Sequence, residues 1–112
     1  RSLQDALNSP GGLRIERVCI GGRRLVEEVL HHELKTLDLP IERSLMANIE
    51  RLRGSNRAAP WVCSYMHMLR IMGNEMVHDR SSASPYFPAQ LQETDLIGAL
   101  TAIQSVLSFR HR

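Results

Sequence analysis

A chain of 112 residues, 43% apolar and 4% aromatic, is long enough for one hydrophobic core and too short for two. Its packing must come from Leu, Ile, Val, Met and Ala, which suits helices better than a β-sandwich. A formal net charge of +2 excludes a polybasic nucleic-acid arm.

Residues 1–12 form a lead-in that ends in the turn formers Asn8-Ser9-Pro10-Gly11-Gly12, which close off any short helix at residues 3–7. From residue 13 to about 37, Val18, Leu25, Val26, Val29, Leu30, Leu34 and Leu37 recur at intervals of three and four, the pattern of a long amphipathic helix. Gly21-Gly22 interrupts it. Two glycines cost about 2 kcal/mol relative to alanine in a helix interior, so they mark either a bend or a close crossing with another helix. Pro40 ends the segment.

Ser44 is placed to cap a second, shorter helix with the stripe Leu45, Ile49 and Leu52, stopped by Gly54-Ser55-Asn56. A third helix is predicted from Ala59 or Pro60 to His78, with Pro60 in its first turn, where a missing N–H is tolerated. Its apolar stripe is Val62, Tyr65, Met66, Leu69, Met72 and Met76. A loop with Pro85 and Pro88 flanking Tyr86-Phe87 covers residues 79–91. Thr94 or a neighbour then caps a fourth helix to about Phe109, with Leu96, Leu100, Ile103 and Leu107 on one face. No strand pattern competes. The expected fold class is all-α, an antiparallel four-helix bundle, with residues 13–112 as one domain.

Thirteen of the fourteen basic residues are Arg, the other being Lys35. Arg forks suit carboxylate and phosphate partners, although an Arg-rich proteome would give the same count. Cys19 and Cys63 lie in apolar surroundings without a C-x-x-C, so buried thiols in a reduced, cytoplasmic compartment are expected rather than a disulfide. No run approaches the 18 or more apolar residues of a membrane span, and no charged-then-apolar signal opens the chain. The start at Arg1 rather than Met suggests a piece of a longer protein, or a processed one. No cofactor and no metal set is indicated, since His67 and His78 lack companion ligands.

At about 100° per residue, His67, Ile71, Asn74 and His78 form a second stripe on the third helix, nearly opposite its core stripe. Asn74 and His78 are an i,i+4 pair, as are Glu75 and Asp79 beside it. This face is predicted to meet solvent or a docked partner; for His78 taken alone, a cation favoured by the helix C-terminus is the plainer reading. Arg23 and Glu27 are spaced as a helix-surface or interhelix ion pair. Arg51, Arg53 and Arg57 make a basic patch at the end of the second helix, with nucleic-acid contact as an alternative role. His31 and His32 diverge on the helix and belong on the surface.

Arg23-Arg24-Leu25-Val26-Glu27 in the first helix, Leu45-x-x-x-Ile49-x-x-Leu52 in the second, and Leu69-Arg70-Ile71-Met72-Gly73-Asn74-Glu75-Met76-Val77-His78-Asp79 closing the third resemble the prokaryotic domain of unknown function 4145. The last helix, led in by Glu93-Thr94-Asp95, is similar too, so the resemblance covers residues 13–109. Its specific part is Gly73-Asn74-x-x-x-His78-Asp79. That family resembles the wider HEPN superfamily of helical domains, many of them metal-independent ribonucleases that act as dimers. The superfamily's signature is an Arg, four to six intervening residues and then a His, often with a polar residue directly after the Arg. Asn74 and His78 match the polar residue and the His; the Arg position holds Gly73, and Arg70 stands seven intervening residues before His78.

The resemblance implies a HEPN-like module of a larger protein, non-catalytic because of Gly73, that pairs as a homodimer through the outer face of the third helix and recognises RNA or nucleotide. The alternative it implies is a ribonuclease of toxin or phage-defence type. His78, Asn74 and Arg70 are its candidate catalytic residues, and His67, Ile71, Asp79 and Arg80 its candidate binding residues. In such chemistry an imidazole serves as base and a guanidinium stabilises the phosphorane charge.

Overall fold

The apolar periods of the sequence resolve into four helices in the computed structural model, which describes residues 11–79 and 92–111. They are α1 (Gly11–Thr36), α2 (Leu45–Gly54), α3 (Pro60–Asp79) and α4 (Glu93–Arg110), with no strand among the described residues. Gly11 and Gly12 already belong to α1, which starts two residues before the helix expected from residue 13. The short helix expected at residues 3–7 and the Tyr86-Phe87 loop lie outside the described residues.

α1 runs unbroken through Gly21-Gly22, and the crossing alternative is the one realised. A Cβ on Gly22 would stand 2.9 Å from Leu69 Cδ2 of α3 and 3.4 Å from Ile103 of α4. The glycine lets three helices meet at one level. α1 and α3 are antiparallel: Gly73 of α3 faces Cys19 and Arg23, while Arg57, just ahead of α3, reaches Glu33. α3 packs against all three others, as does α1.

The connection from α1 to α2 shows how local chemistry sets the path. Asp38 takes a left-handed φ of 57°, and Leu39 N donates to Leu34 O at 2.9 Å, closing α1 with the 6→1 bond of a Schellman-type end. The Ser44 hydroxyl accepts from Ala47 N at 3.2 Å, capping α2 as its sequence predicts. Buried Asn48 pins the segment before it: its Oδ1 accepts from Glu42 N at 2.7 Å and its Nδ2 donates to Glu42 O at 3.0 Å. That reciprocal clamp satisfies an amide that would otherwise be costly to bury.

Val18, Val26, Leu30, Leu34, Ile49, Leu52, Val62, Met66 and Leu69 form the centre of the core. On α4 the expected stripe is only partly the buried one. Leu96 and Ile103 are buried with Ala99, Ala102, Val106 and Phe109, whereas Leu100 and Leu107 pack at the margin. Small alanines face the core because α4 lies close to its neighbours, a constraint that large-residue periodicity does not register. The helix starts one residue ahead of its expected cap: Gln92 N donates to the Asp95 carboxylate at 2.8 Å, and Thr94 is exposed.

Candidate functional site

The polar residues of α3 do not simply face solvent. Asn74 and His67 are half-buried, because each is met by a neighbouring helix. Arg23 of α1 donates through Nε to Asn74 Oδ1 at 2.7 Å, and its Nη1 pairs with Glu27 at 2.5 Å. Arg23 reaches that position over Gly73, where a Cβ would stand 2.6 Å from Arg23 Cβ and 3.1 Å from Cys19 O. Contacts that short are not available to a side chain, so the glycine is what allows α1 and α3 to approach. The expected ion pair of Arg23 and Glu27 is present, and it is also an interhelix latch onto Asn74.

At the other end of the strip, His67 Nε2 lies 2.6 Å from Glu50 Oε2 of α2, and Arg70 Nε donates to His67 Nδ1 at 3.3 Å. Arg53 Nη1 completes the chain to Glu50 at 3.1 Å. Arginine has no acceptor atom, so its two contacts assign the neighbours. His67 Nδ1 is the acceptor, leaving the Nε2 proton for Glu50. Asn74 likewise turns Oδ1 to Arg23 and keeps its Nδ2 protons for another partner. The Nη groups of Arg70 have no partner among the described residues. The strip therefore leaves N–H donors of Arg70 and Asn74 without a partner among the described residues. The hydrogen bond from His67, then that from Arg53, holds the Glu50 carboxyl below its usual range.

Of the candidate residues, Asn74, Arg70 and His67 lie along one flank of α3, while Ile71 is exposed on the adjoining outer face. Arg70 is engaged with His67, one turn back. The side chains of His78 and Asp79, and all of Arg80, lie outside the described residues. The basic patch is matched by carboxylates: Arg51 pairs with Glu42 at 2.7 Å, Arg53 with Glu50, and Arg57 with Glu33 at 3.3 Å. His31 and His32 are exposed, as expected.

Both cysteines are free and buried. Burial, aided by the negative charge of Asp95, pushes the Cys19 thiol up to about 11, and burial also raises Cys63. They are packing residues rather than nucleophiles. No group of three or more potential metal ligands occurs among the described residues, and none of their helices is long and apolar enough to cross a membrane.

Large apolar side chains also stand in the open on α3. Trp61 is 63% and Ile71 50% exposed. With Ser64, half-buried Met68 and exposed Glu75 they follow one another at spacings of three and four, forming a single stripe. Compared with protein-family models, with curated proteins and with solved structures, the chain matches none. What the structure defines on its own is an all-helical, bundle-like domain whose third helix carries a polar strip beside an apolar stripe.

Proposed function

We propose that the chain is a non-catalytic, HEPN-like interaction module of a larger protein, pairing with a second copy through the outer face of α3 and recognising RNA or nucleotide beside it. The observation that carries the reading is the Trp61–Met68–Ile71 stripe on a helix whose other sides are taken by α1, α2 and α4. Apolar side chains grouped at helical spacing favour burial against a partner, and tryptophan is a frequent anchor of such contacts. The N–H groups of Arg70 and Asn74 that have no partner among the described residues support the RNA or nucleotide part, since phosphate oxygens accept from such donors.

Light scattering of the native chain and of Ile71→Arg combined with Trp61→Arg tests the pairing. A native dimer that becomes a monomer in the double variant is expected; a native chain that stays monomeric at high concentration overturns it. Asn74→Arg is a poor probe of the seam, because it would set a second guanidinium against Arg23 and disturb the fold.

One observation favours the second reading, a metal-independent ribonuclease. Arg23 of α1 lies over Gly73 and bonds Asn74, so a guanidinium stands beside the position where the signature has its Arg. Its Nε and Nη1 are already committed to Asn74 and Glu27, which favours the latch. Cleavage of single-stranded RNA in EDTA by the native chain, lost in His78→Ala, would establish the nuclease and remove the non-catalytic reading.

A further inference from the structure

A second cluster, remote in sequence from the α3 strip, gathers where the end of α1, the turn before α3 and the end of α4 meet. Its centre is Glu33, whose side chain is only 9% exposed. The single side-chain contact to its carboxylate among the described residues comes from Arg57 Nε at 3.3 Å, and Arg57 is itself 53% exposed. A carboxylate can accept about four hydrogen bonds, and burying one is costly unless it is well paired. Glu33 is thus a largely buried carboxylate held by one side-chain partner among the described residues.

It also borders two hollows. One, of about 210 Å³, lies toward Glu28, His32 and Arg110. The other, of about 280 Å³, lies toward Arg57, Phe109 and Arg110. Arg110 lines both, and no hydrogen bond joins it to Glu33 among the described residues. The charges select the occupant. A simple cation drawn to Glu33 would be repelled by Arg57 and Arg110. A simple anion drawn to those arginines would be repelled by Glu33 and Glu28. A small molecule carrying an ammonium and a carboxylate a few atoms apart satisfies both signs at once.

We infer that the Glu33–Arg110 hollows bind a small free α-amino acid, its ammonium on the Glu33 carboxylate, its carboxylate on the Arg110 guanidinium, and a short side chain against Phe109. The hollows are smaller than those that take drug-sized ligands, which limits the side chain to a few carbons. This site is independent of pairing through Trp61 and Ile71, so either can fail without the other.

The test is a ¹H–¹⁵N NMR titration of the whole chain with L-alanine, with ethylamine and propionate as probes that each lack one charge. Saturable shifts confined to the ends of α1 and α4 are expected with alanine, and binding about tenfold weaker with either probe, the loss of one charge-assisted hydrogen bond. Glu33→Gln and Arg110→Gln should each weaken alanine binding by a similar factor. If Glu33→Gln loosens the fold, Arg110→Gln still decides, since Arg110 is exposed and outside the core. No saturable shift with alanine, or equal response to alanine and to either probe, would overturn the assignment.

Discussion

The two ends of the polar strip on α3 are built from similar residues and held in different ways. At the Asn74 end, Arg23 lies over a glycine that admits no side chain, so the hydrogen bond and the helix crossing exist together. At the His67 end, the chain Arg53–Glu50–His67–Arg70 runs between partly or largely exposed groups, with about half of the Glu50 side chain in solvent. The first cluster is coupled to packing and the second is a solvated surface network. Similar distances therefore imply different energetic weight, because only the first sits on a close helix crossing, although its Arg23 and Glu27 side chains are themselves 30% and 40% exposed.

The strongest way to break this contrast is at Gly73. Gly73→Arg, which would write the missing arginine of the HEPN signature, is expected to cost more than ~3 kcal/mol in urea unfolding, since no side chain fits beneath Arg23. Gly73→Ala should cost about 1–2 kcal/mol even after the gain of about 1 kcal/mol in helix propensity. Gly22→Ala should cost less than Gly73→Ala, because its nearest obstacles are the ends of the Leu69 and Ile103 side chains rather than the root of a side chain and backbone. A Gly73→Arg variant as stable as the native chain would show that the crossing is not set by this glycine.

A smaller effect sharpens the comparison. In a double-mutant cycle of Arg23→Met and Asn74→Ala, the coupling is expected at about 1 kcal/mol, the net worth of one part-buried hydrogen bond to a charged group. Coupling near zero would reduce the latch to a crossing held by packing alone.

The smallest effect is expected at the exposed end. Glu50→Gln should leave the unfolding midpoint at pH 7 unchanged within error. Because hydrogen bonds from His67 and Arg53 hold the Glu50 carboxyl below the usual carboxylate range, any contribution it makes is fully present above that range and fades as pH falls through the lowered value. Any difference between native and Glu50→Gln should therefore narrow on acidification below that range. A gap that widens there would reverse the sign and rule out the stabilised carboxylate.

Local chemistry in the sequence is enough to place the helices, the cap at Ser44, the first-turn proline Pro60 and most of the core, because apolar period and capping chemistry are local properties of the chain. It also marked Gly22 as a bend or a crossing, and Arg23–Glu27 as a pair. Only the tertiary structure decided that α1 passes straight through the double glycine, that the alanines of α4 face inward, and that Asn74 and His67 are half-buried under partners from other helices. Arg23 and Asn74 are 51 positions apart, and Glu50 and His67 are 17 apart. Helical spacing can assign a residue to a face, but what covers that face depends on which helices lie beside it. The buried Glu33 was equally silent, since a glutamate on a long amphipathic helix ordinarily faces water until another element closes over it.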